Sequence, residues 1–551
     1  MDLRSKILNK TITITTFLTL FSISFFVNAA NYEDTENKFL QKEPPFLYEN
    51  ISEFSLFQPS EYILDESKYV INLIKQNKLK QASIRIDALI KDTPKEALYY
   101  IIKATIEIKN KHLDIAKKNY EKSIAVAPVN PRAYLGLSAL ALEKGELSIA
   151  KQHAKTTLKQ DNNNIPAHII LAKVATKQLD LNTAEKYLLN AHAKATLQNK
   201  LVILKLLSQV YKSNNKIDKI LPLVKKLVKQ DTSTTALSFL AKIQLANKNS
   251  LNAEDTLRKI ITLEKNDIKH KLVLAKLLEK YTDKDTEIIK LYDQAIESSQ
   301  NENSSTIHSL KVGFLITRKK YPEALIAAEQ ININWPTLSI GKISKGNVFL
   351  AEKKFDSALT SYQQAYKIDK KSTVLELILK ILAIQNKHKE AIALVKKELP
   401  KVPNPLHFQF MLANLYQNTA QYNLAVEQYE SLLLKQKDDA IILNNLAWVY
   451  NHQQNPKALE TAKRAYIKTP NLAFVADTYG YILLKNGNKQ ESLKVLKRAA
   501  KEAPNLSILQ LHLSESLIAN KKKSQAREIL QQLANGNSVE KTEAINLLKG
   551  L

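Results

Sequence analysis

Apolar side chains in the stretch 443–450 recur at the spacing of an α-helix. Leu443, Leu446, Ala447 and Tyr450 occupy positions i, i+3, i+4 and i+7, which lie on one face of a helix. A second stretch with apolar positions follows, and Pro470 marks its end because proline cannot continue a helix interior. The pattern predicts two short helices that are joined by a turn and packed on each other.

The same arrangement recurs along most of the chain with a period close to 34 residues. A small or aliphatic residue near the start of each predicted second helix marks this period, which is the signature of a stacked array of helix pairs. Fourteen residues are such markers: Ala82, Ala116, Ala150, Ala184, Ile220, Ala253, Ile288, Ala324, Ala358, Ala391, Ala425, Ala458, Ser492 and Ala526.

Small residues also recur in the first helix of a pair, where the two helices must approach each other. Gly346 and Gly480 stand twelve residues before Ala358 and Ser492, respectively. Close packing of two helices requires such small side chains at the crossing. This period and pattern resemble the tetratricopeptide repeat over about residues 63–535. The resemblance implies an all-α fold, a right-handed α-solenoid of about 14 helix-turn-helix repeats whose first helices line an inner groove.

The sequence divides into four parts. Residues 1–29 are a predicted secretory signal peptide, and residues 30–61 are a predicted flexible leader. Residues 62–539 are the predicted repeat array, and residues 540–551 are predicted to form a C-terminal capping helix, as the end of a stack requires. Docking of the leader's phenylalanines on the repeats is the alternative to a flexible leader.

The first part has the pattern of a signal for export. Basic residues precede a mostly apolar run from Ile12 to Val27, and small residues lead up to a predicted cleavage site near Ala29. We therefore expect a periplasmic or secreted protein with no transmembrane segment after signal removal. The alternative is that the apolar run remains as an uncleaved anchor.

The formal net charge is +27, from 81 Lys and Arg residues against 54 Asp and Glu residues. Such an excess attracts anionic partners, among them a polysaccharide or a lipid surface. The lysines are spread over the whole length, however, as on solvated helix faces in general. The charge therefore leaves two interpretations, a basic surface without a function of its own and a direct binder of an anionic partner.

The sequence shows none of the common patterns of a catalytic or cofactor-binding site. It has no cysteine, and its ten histidines and nine glycines form no metal-ligand pattern and no phosphate-binding loop. The repeats fill the chain and leave no room for a catalytic domain. We predict a protein that is not an enzyme, requires no cofactor or metal, and does not bind nucleic acid.

Amide and aromatic residues recur beside the packing face of the first helices in the C-terminal repeats. Such a column suits an extended peptide, because amides bond to its backbone and aromatic rings hold its side chains. We expect Trp448 to face water; the alternative is that Trp448 and Tyr481 pack between repeats. The predicted partner-binding column has nine residues: Phe410, Asn414, Gln417, Asn444, Trp448, Asn451, Asp477, Tyr481 and Glu515.

The stretch 443–505 resembles a narrower group, the exported tetratricopeptide repeat proteins that accompany exosortase/PEP-CTERM sorting and exopolysaccharide production. This resemblance implies a non-enzymatic scaffold or adaptor that binds a protein or peptide partner in the bacterial envelope. The competing class is a direct binder of anionic polysaccharide or lipid surface through the basic charge.

Overall fold

The structure is a computed structural model that describes residues 61–299 and 303–551. Within these two ranges the regular secondary structure is entirely helical. The predictions for the signal peptide and, apart from Glu61, for the leader fall on residues that lie outside the described ranges.

The helices begin and end where the local sequence favours it. Asp439 Oδ1 accepts hydrogen bonds from the backbone N–H groups of Ile441 and Ile442, at 2.9 and 3.0 Å, and so caps the helix that begins at residue 440. The turns inside the helix pairs need a residue with left-handed backbone. Gly145 and Gly487 supply it in two of them, with φ angles of 78° and 83°.

The described residues fall into two compact units that divide between Phe314 and Leu315. The N-terminal unit contains fourteen complete α-helices and the first part of a fifteenth. These are α1 (Glu61–Lys75), α2 (Leu79–Asp92), α3 (Ala97–Lys109), α4 (Leu113–Val126), α5 (Pro131–Glu143), α6 (Leu147–Gln160), α7 (Ile165–Lys177), α8 (Leu181–Lys194), α9 (Leu197–Ser213), α10 (Ile220–Val228, after a 3-10 turn at Ile217–Lys219), α11 (Thr234–Ala246), α12 (Ser250–Leu263), α13 (Ile268–Tyr281), α14 (Asp285–Glu297) and α15 (Asn303–Thr317).

The C-terminal unit contains the end of α15 and fourteen further α-helices. These are α16 (Tyr321–Asn334), α17 (Ile340–Ala351), α18 (Phe355–Ile368), α19 (Ser372–Ile384), α20 (His388–Glu398, followed by a 3-10 turn at Leu399–Lys401), α21 (Pro405–Asn418), α22 (Tyr422–Lys435), α23 (Ala440–His452), α24 (Lys457–Lys468), α25 (Ala473–Lys485), α26 (Lys489–Glu502), α27 (Ser507–Ala519), α28 (Lys523–Asn535) and α29 (Lys541–Lys549).

Helices α1 to α28 form fourteen consecutive pairs within the described ranges, each with an odd-numbered first helix and an even-numbered second helix. All fourteen marker residues lie near the start of a second helix and are buried, and none is more than 4% exposed. Ile220 and Ile288, which replace the small residue in two repeats, are fully buried as well. The predicted fold class, an all-α solenoid of helix-turn-helix repeats, is confirmed.

Helix α29 follows the last pair and packs on it. Ala544 is fully buried in a cluster with Leu530 and Leu533 of α28. The hydroxyl of Ser507 at the start of α27 donates a 2.5 Å hydrogen bond to Oε2 of Glu540, directly before α29. Apolar side chains of α28 that would otherwise face solvent are thereby covered.

The two helices of a repeat approach each other very closely where the first helix has a glycine. A Cβ atom added at Gly346 would lie 2.5 Å from Cε1 of Tyr362, a fully buried ring of the second helix. We expect Gly346→Ala to lower the free energy of unfolding by about 1–3 kcal/mol through overpacking. The measurement is chemical unfolding followed by circular dichroism.

Gly313 provides the matched control, because it lies within α15 and a Cβ atom there would meet nothing within 4 Å. Gly313→Ala is expected to raise stability by about 0.5–1 kcal/mol through the lower helix propensity of glycine. Equal effects of both substitutions would contradict the tight crossing at Gly346.

Candidate functional site

The structure places the nine residues of the predicted column on α21, α23, α25 and α27, which are the first helices of four consecutive repeats. Helix α25 contacts both α23 and α27. A hydrogen bond of 3.0 Å from Asn445 Nδ2 to Asn414 Oδ1 joins α23 to α21. The column residues are therefore brought onto neighbouring helices.

The column is more buried than the sequence indicates. Trp448 is only 8% exposed, and the expectation that it faces water is wrong. Its ring centroid lies 3.8 Å from that of His452 and 6.3 Å from that of Tyr422 on α22, so these two rings cover it. Three further members of the column are buried: Gln417, Asn444 and Asp477. The other five are half-buried: Phe410, Asn414, Asn451, Tyr481 and Glu515.

Two of the predicted amide groups are engaged inside the protein. The hydroxyl of Tyr429, which is fully buried, lies 2.6 Å from Oδ1 of Asn414 and 2.8 Å from Oε1 of Gln417. The ring of Phe410 meets the Tyr429 ring edge to face, with 6.1 Å between the centroids. Burial raises the pKa of Tyr429, which keeps its hydroxyl protonated as a donor. These contacts fasten α21 to α22.

Asn444 and Asn451 retain hydrogen-bonding capacity. Asn444 Nδ2 donates to Asn445 Oδ1 at 3.3 Å, but Asn444 Oδ1 is buried and has no hydrogen-bond partner in the described part of the chain. A buried polar atom without a partner costs about 1–3 kcal/mol. The side chain of Asn451 is half-buried and makes no hydrogen bond within residues 61–299 and 303–551. Asn451 is therefore the member of the column best able to bond to a partner, because Asn444 Oδ1 is not accessible at the surface.

The C-terminal members of the column form an ionic and aromatic network between α25 and α27. Both carboxylate oxygens of Asp477 lie 2.9 Å from Nδ1 of His512, and both side chains are buried. The Tyr481 ring stacks on the His512 ring with 4.1 Å between centroids. Lys485 Nζ lies 4.6 Å from the Tyr481 centroid and 3.1 Å from Glu515 Oε2. Asp477, Tyr481 and Glu515 thus take part in one network.

The charges in this network support each other. Burial of His512 disfavours its charged form, but the adjacent carboxylate of Asp477 outweighs this effect and raises the pKa of the imidazole. Burial likewise opposes the charged form of Lys485, and the carboxylate of Glu515 more than compensates, so that the pKa of Lys485 is raised. The network therefore joins two repeats by charge, with the Asp477–His512 pair buried and Lys485 at the surface.

The partners that complete these contacts were not among the predicted residues. They are His512, Lys485, His452 and Asn445, together with Tyr422 and Tyr429 of α22. Their sequence separations carry a signal: Asp477 and His512 are 35 residues apart, and Asn414 and Asn445 are 31 apart. Polar residues separated by about one repeat period fall on neighbouring first helices.

Two further features bear on the type of site. Among the described residues, no three His, Cys, Asp or Glu side chains are grouped so that they could hold a metal ion. None of the helices in residues 61–299 and 303–551 has the length and apolar character needed to cross a membrane.

Comparison with protein families finds a match on part of this surface. Residues 410–473, which include α22, α23 and α24, match the family model of the tetratricopeptide repeat. The remaining helix pairs share its marker residues and period, so the tetratricopeptide repeat family is supported for the chain. Its members bind protein partners, and the resemblance to the exosortase-associated group stays a prediction.

A curated relative and several solved structures are similar to the chain. It is 23% identical over 383 residues to tetratricopeptide repeat protein 21A of Mus musculus; the match covers 63% of this chain but only 28% of that relative. Against the crystal structure of the APC/C hetero-tetramer Cut9–Hcn1, identity is 16%, the TM-score is 0.35, and coverage is 83% of this chain and 96% of the other. Against the crystal structure of yeast Tom70, identity is 15%, the TM-score is 0.30, and coverage is 82% of this chain and 95% of the other. Nothing about partners follows at this level of similarity.

Proposed function

We propose that the protein is an exported, non-enzymatic scaffold whose tetratricopeptide repeats bind a protein or peptide partner in the bacterial envelope. The observation that carries this proposal is the half-buried side chain of Asn451, which lies one turn after Trp448 on α23 and makes no hydrogen bond within residues 61–299 and 303–551.

The binding site is tested by crosslinking from single positions. Because the chain has no cysteine, Asn451→Cys creates one labelling site for a photo-crosslinker. We expect this variant to form adducts with one or a few proteins of its own envelope fraction. The matched control is Lys494→Cys on the exposed face of α26. Equal adducts from both positions would contradict a site on α23.

A salt series separates this proposal from the competing class. Contacts through amide and aromatic groups are expected to persist when salt is raised, whereas binding led by charge weakens as salt screens it. Adducts at position 451 that vanish at high salt would favour a direct binder of an anionic partner.

The location in the envelope is supported by the N-terminal sequence pattern and by the resemblance of residues 443–505 to exported repeat proteins of exopolysaccharide and surface-protein export. We expect the protein in the periplasmic or secreted fraction, with an N terminus at Ala30. N-terminal sequencing of the protein from fractionated cells checks this. A full-length cytoplasmic product would contradict export while leaving the crosslinking result unaffected.

A further inference from the structure

Two large aliphatic side chains project into solvent at the ends of successive second helices in the C-terminal unit. Leu434 in the last turn of α22 is 87% exposed, and Ile467 in the last turn of α24 is 65% exposed. They are 33 residues apart, and each stands nine residues after its marker, at the same position of the repeat. A single exposed aliphatic residue needs no explanation, but two at one repeat position form a pattern.

Exposed lysines accompany both aliphatic residues. Lys435 directly follows Leu434, Lys468 directly follows Ile467, and Lys437 lies in the turn after α22. In α26 the equivalent position holds Lys501, which is also exposed. We call these residues the basic–aliphatic edge: Leu434, Lys435, Lys437, Ile467, Lys468 and Lys501.

Contacts between the helix ends show that the edge is continuous. Asp438, after α22, forms an ion pair of 2.5 Å with Arg464 of α24 and lies 4.0 Å from Lys468. Leu433 and Tyr466, the neighbours of the two exposed residues in sequence, pack on one shared apolar cluster. A hydrogen bond from Arg498 of α26 to Asn471 joins the third helix end to the turn after α24.

The charge of the edge is positive even when its acidic neighbours are included. The carboxylate of Asp438 is engaged by Arg464, which also holds the pKa of that carboxyl below its usual range. Glu502 stands beside Lys501 at the end of α26. Asp439, directly after Asp438, caps α23 with its carboxylate. Against these three carboxylates stand six cations: Lys435, Lys437, Arg464, Lys468, Arg498 and Lys501.

We propose that the basic–aliphatic edge binds the surface of a membrane that contains anionic lipids. Lysines near an anionic bilayer are attracted to it, and aliphatic side chains beside them gain by entering the boundary between headgroups and acyl chains. A hydrophilic anionic polysaccharide would attract the lysines but would offer nothing to Leu434 and Ile467. The combination of both residue types therefore favours a lipid surface, and it does so independently of the peptide site on α23.

The absence of cysteine allows a local test on the full chain. Leu434→Cys and Ile467→Cys, each labelled with a polarity-sensitive dye, are mixed with vesicles of phosphatidylglycerol and phosphatidylcholine in equal parts. We expect a blue shift of the emission at both positions, and none with vesicles of phosphatidylcholine alone. The control is Ile326→Cys on α16, which is 71% exposed but lies outside the edge.

The dye reports only on the surroundings of the labelled position. The apolar N-terminal run is the same in every variant and therefore does not affect the comparison between positions. No shift at 434 and 467, or an equal shift at 326, would overturn the proposal. A shift of the same size on addition of dextran sulfate would also overturn it, in favour of a polyanion.

Charge reversal tests the lysines. Replacing Lys435, Lys468 and Lys501 by glutamate in the Ile467→Cys chain is expected to weaken partitioning to the anionic vesicles at least about 100-fold, at roughly fivefold per lysine removed. The control changes net charge equally at three exposed lysines, Lys225 and Lys226 on α10 and Lys229 directly after it. An equal loss in the control would mean that net charge alone governs binding, and the edge would be rejected.

Discussion

Trp448→Ala is expected to lower the free energy of unfolding of the C-terminal repeats by about 3–5 kcal/mol, the range for truncation of a buried aromatic residue. The indole is almost fully buried, and its ring packs against those of His452 and Tyr422. Because Tyr422 belongs to the preceding repeat, the substitution removes a contact between repeats as well as leaving a cavity. Trp448→Phe should cost less, since it keeps part of the ring contact.

The measurement is urea unfolding together with amide hydrogen exchange in α22 and α23, because repeat arrays open locally as well as globally. Ile326→Ala is the control, as its side chain is exposed and its loss should change stability by no more than about 0.5 kcal/mol. Unchanged exchange in α22 and α23, with lost crosslinking from position 451, would instead assign Trp448 to the partner.

Asp477→Asn is expected to cost on the order of 3 kcal/mol at a pH near 5, because it removes the carboxylate that compensates the buried charge of His512. The neutral amide keeps the size of the side chain, so the effect reports on charge. In the double variant Asp477→Asn, His512→Gln both charges are gone, and much of the loss should be recovered. Additive losses in this cycle would contradict a coupled pair.

The same pair predicts a defined dependence of stability on pH. The unfolded chain has a histidine pKa of about 6.5, and in the folded protein the pKa of His512 is raised, with the carboxylate of Asp477 outweighing the effect of burial. The stabilisation is therefore fully present below a pH of about 6.5 and is lost as the pH rises through the raised value. Unfolding free energies measured from slightly acidic to alkaline pH should show this decline in the native chain, and Asp477→Asn should flatten it.

The sequence predicts the position of much of the candidate site but not the contacts of its side chains. The spacing of Ala447 and Gly480 puts Trp448 and Tyr481 at one repeat position, and the structure does bring them onto neighbouring helices. Burial of Trp448 could not be read from its own helix, because Tyr422 covers it from α22. The sequence does not single out His512 for a similar reason, because its role depends on a contact with Asp477, 35 residues earlier.

The sequence by itself determined the helices, their pairing and the fourteen repeats. These depend on local spacing. A small or aliphatic residue, such as Ala358 or Ser492, recurs wherever two helices cross, and a polar turn follows wherever a helix ends. The tertiary structure alone decided which side chains of the first and second helices remain accessible. Asn414 is engaged by Tyr429 while Asn451 is not, and Leu434 and Ile467 stand at one continuous edge. Such differences arise from contacts between helices: Asn414 meets Tyr429 within its own repeat and Asn445 in the next one. The periodic pattern of a single helix does not specify these contacts.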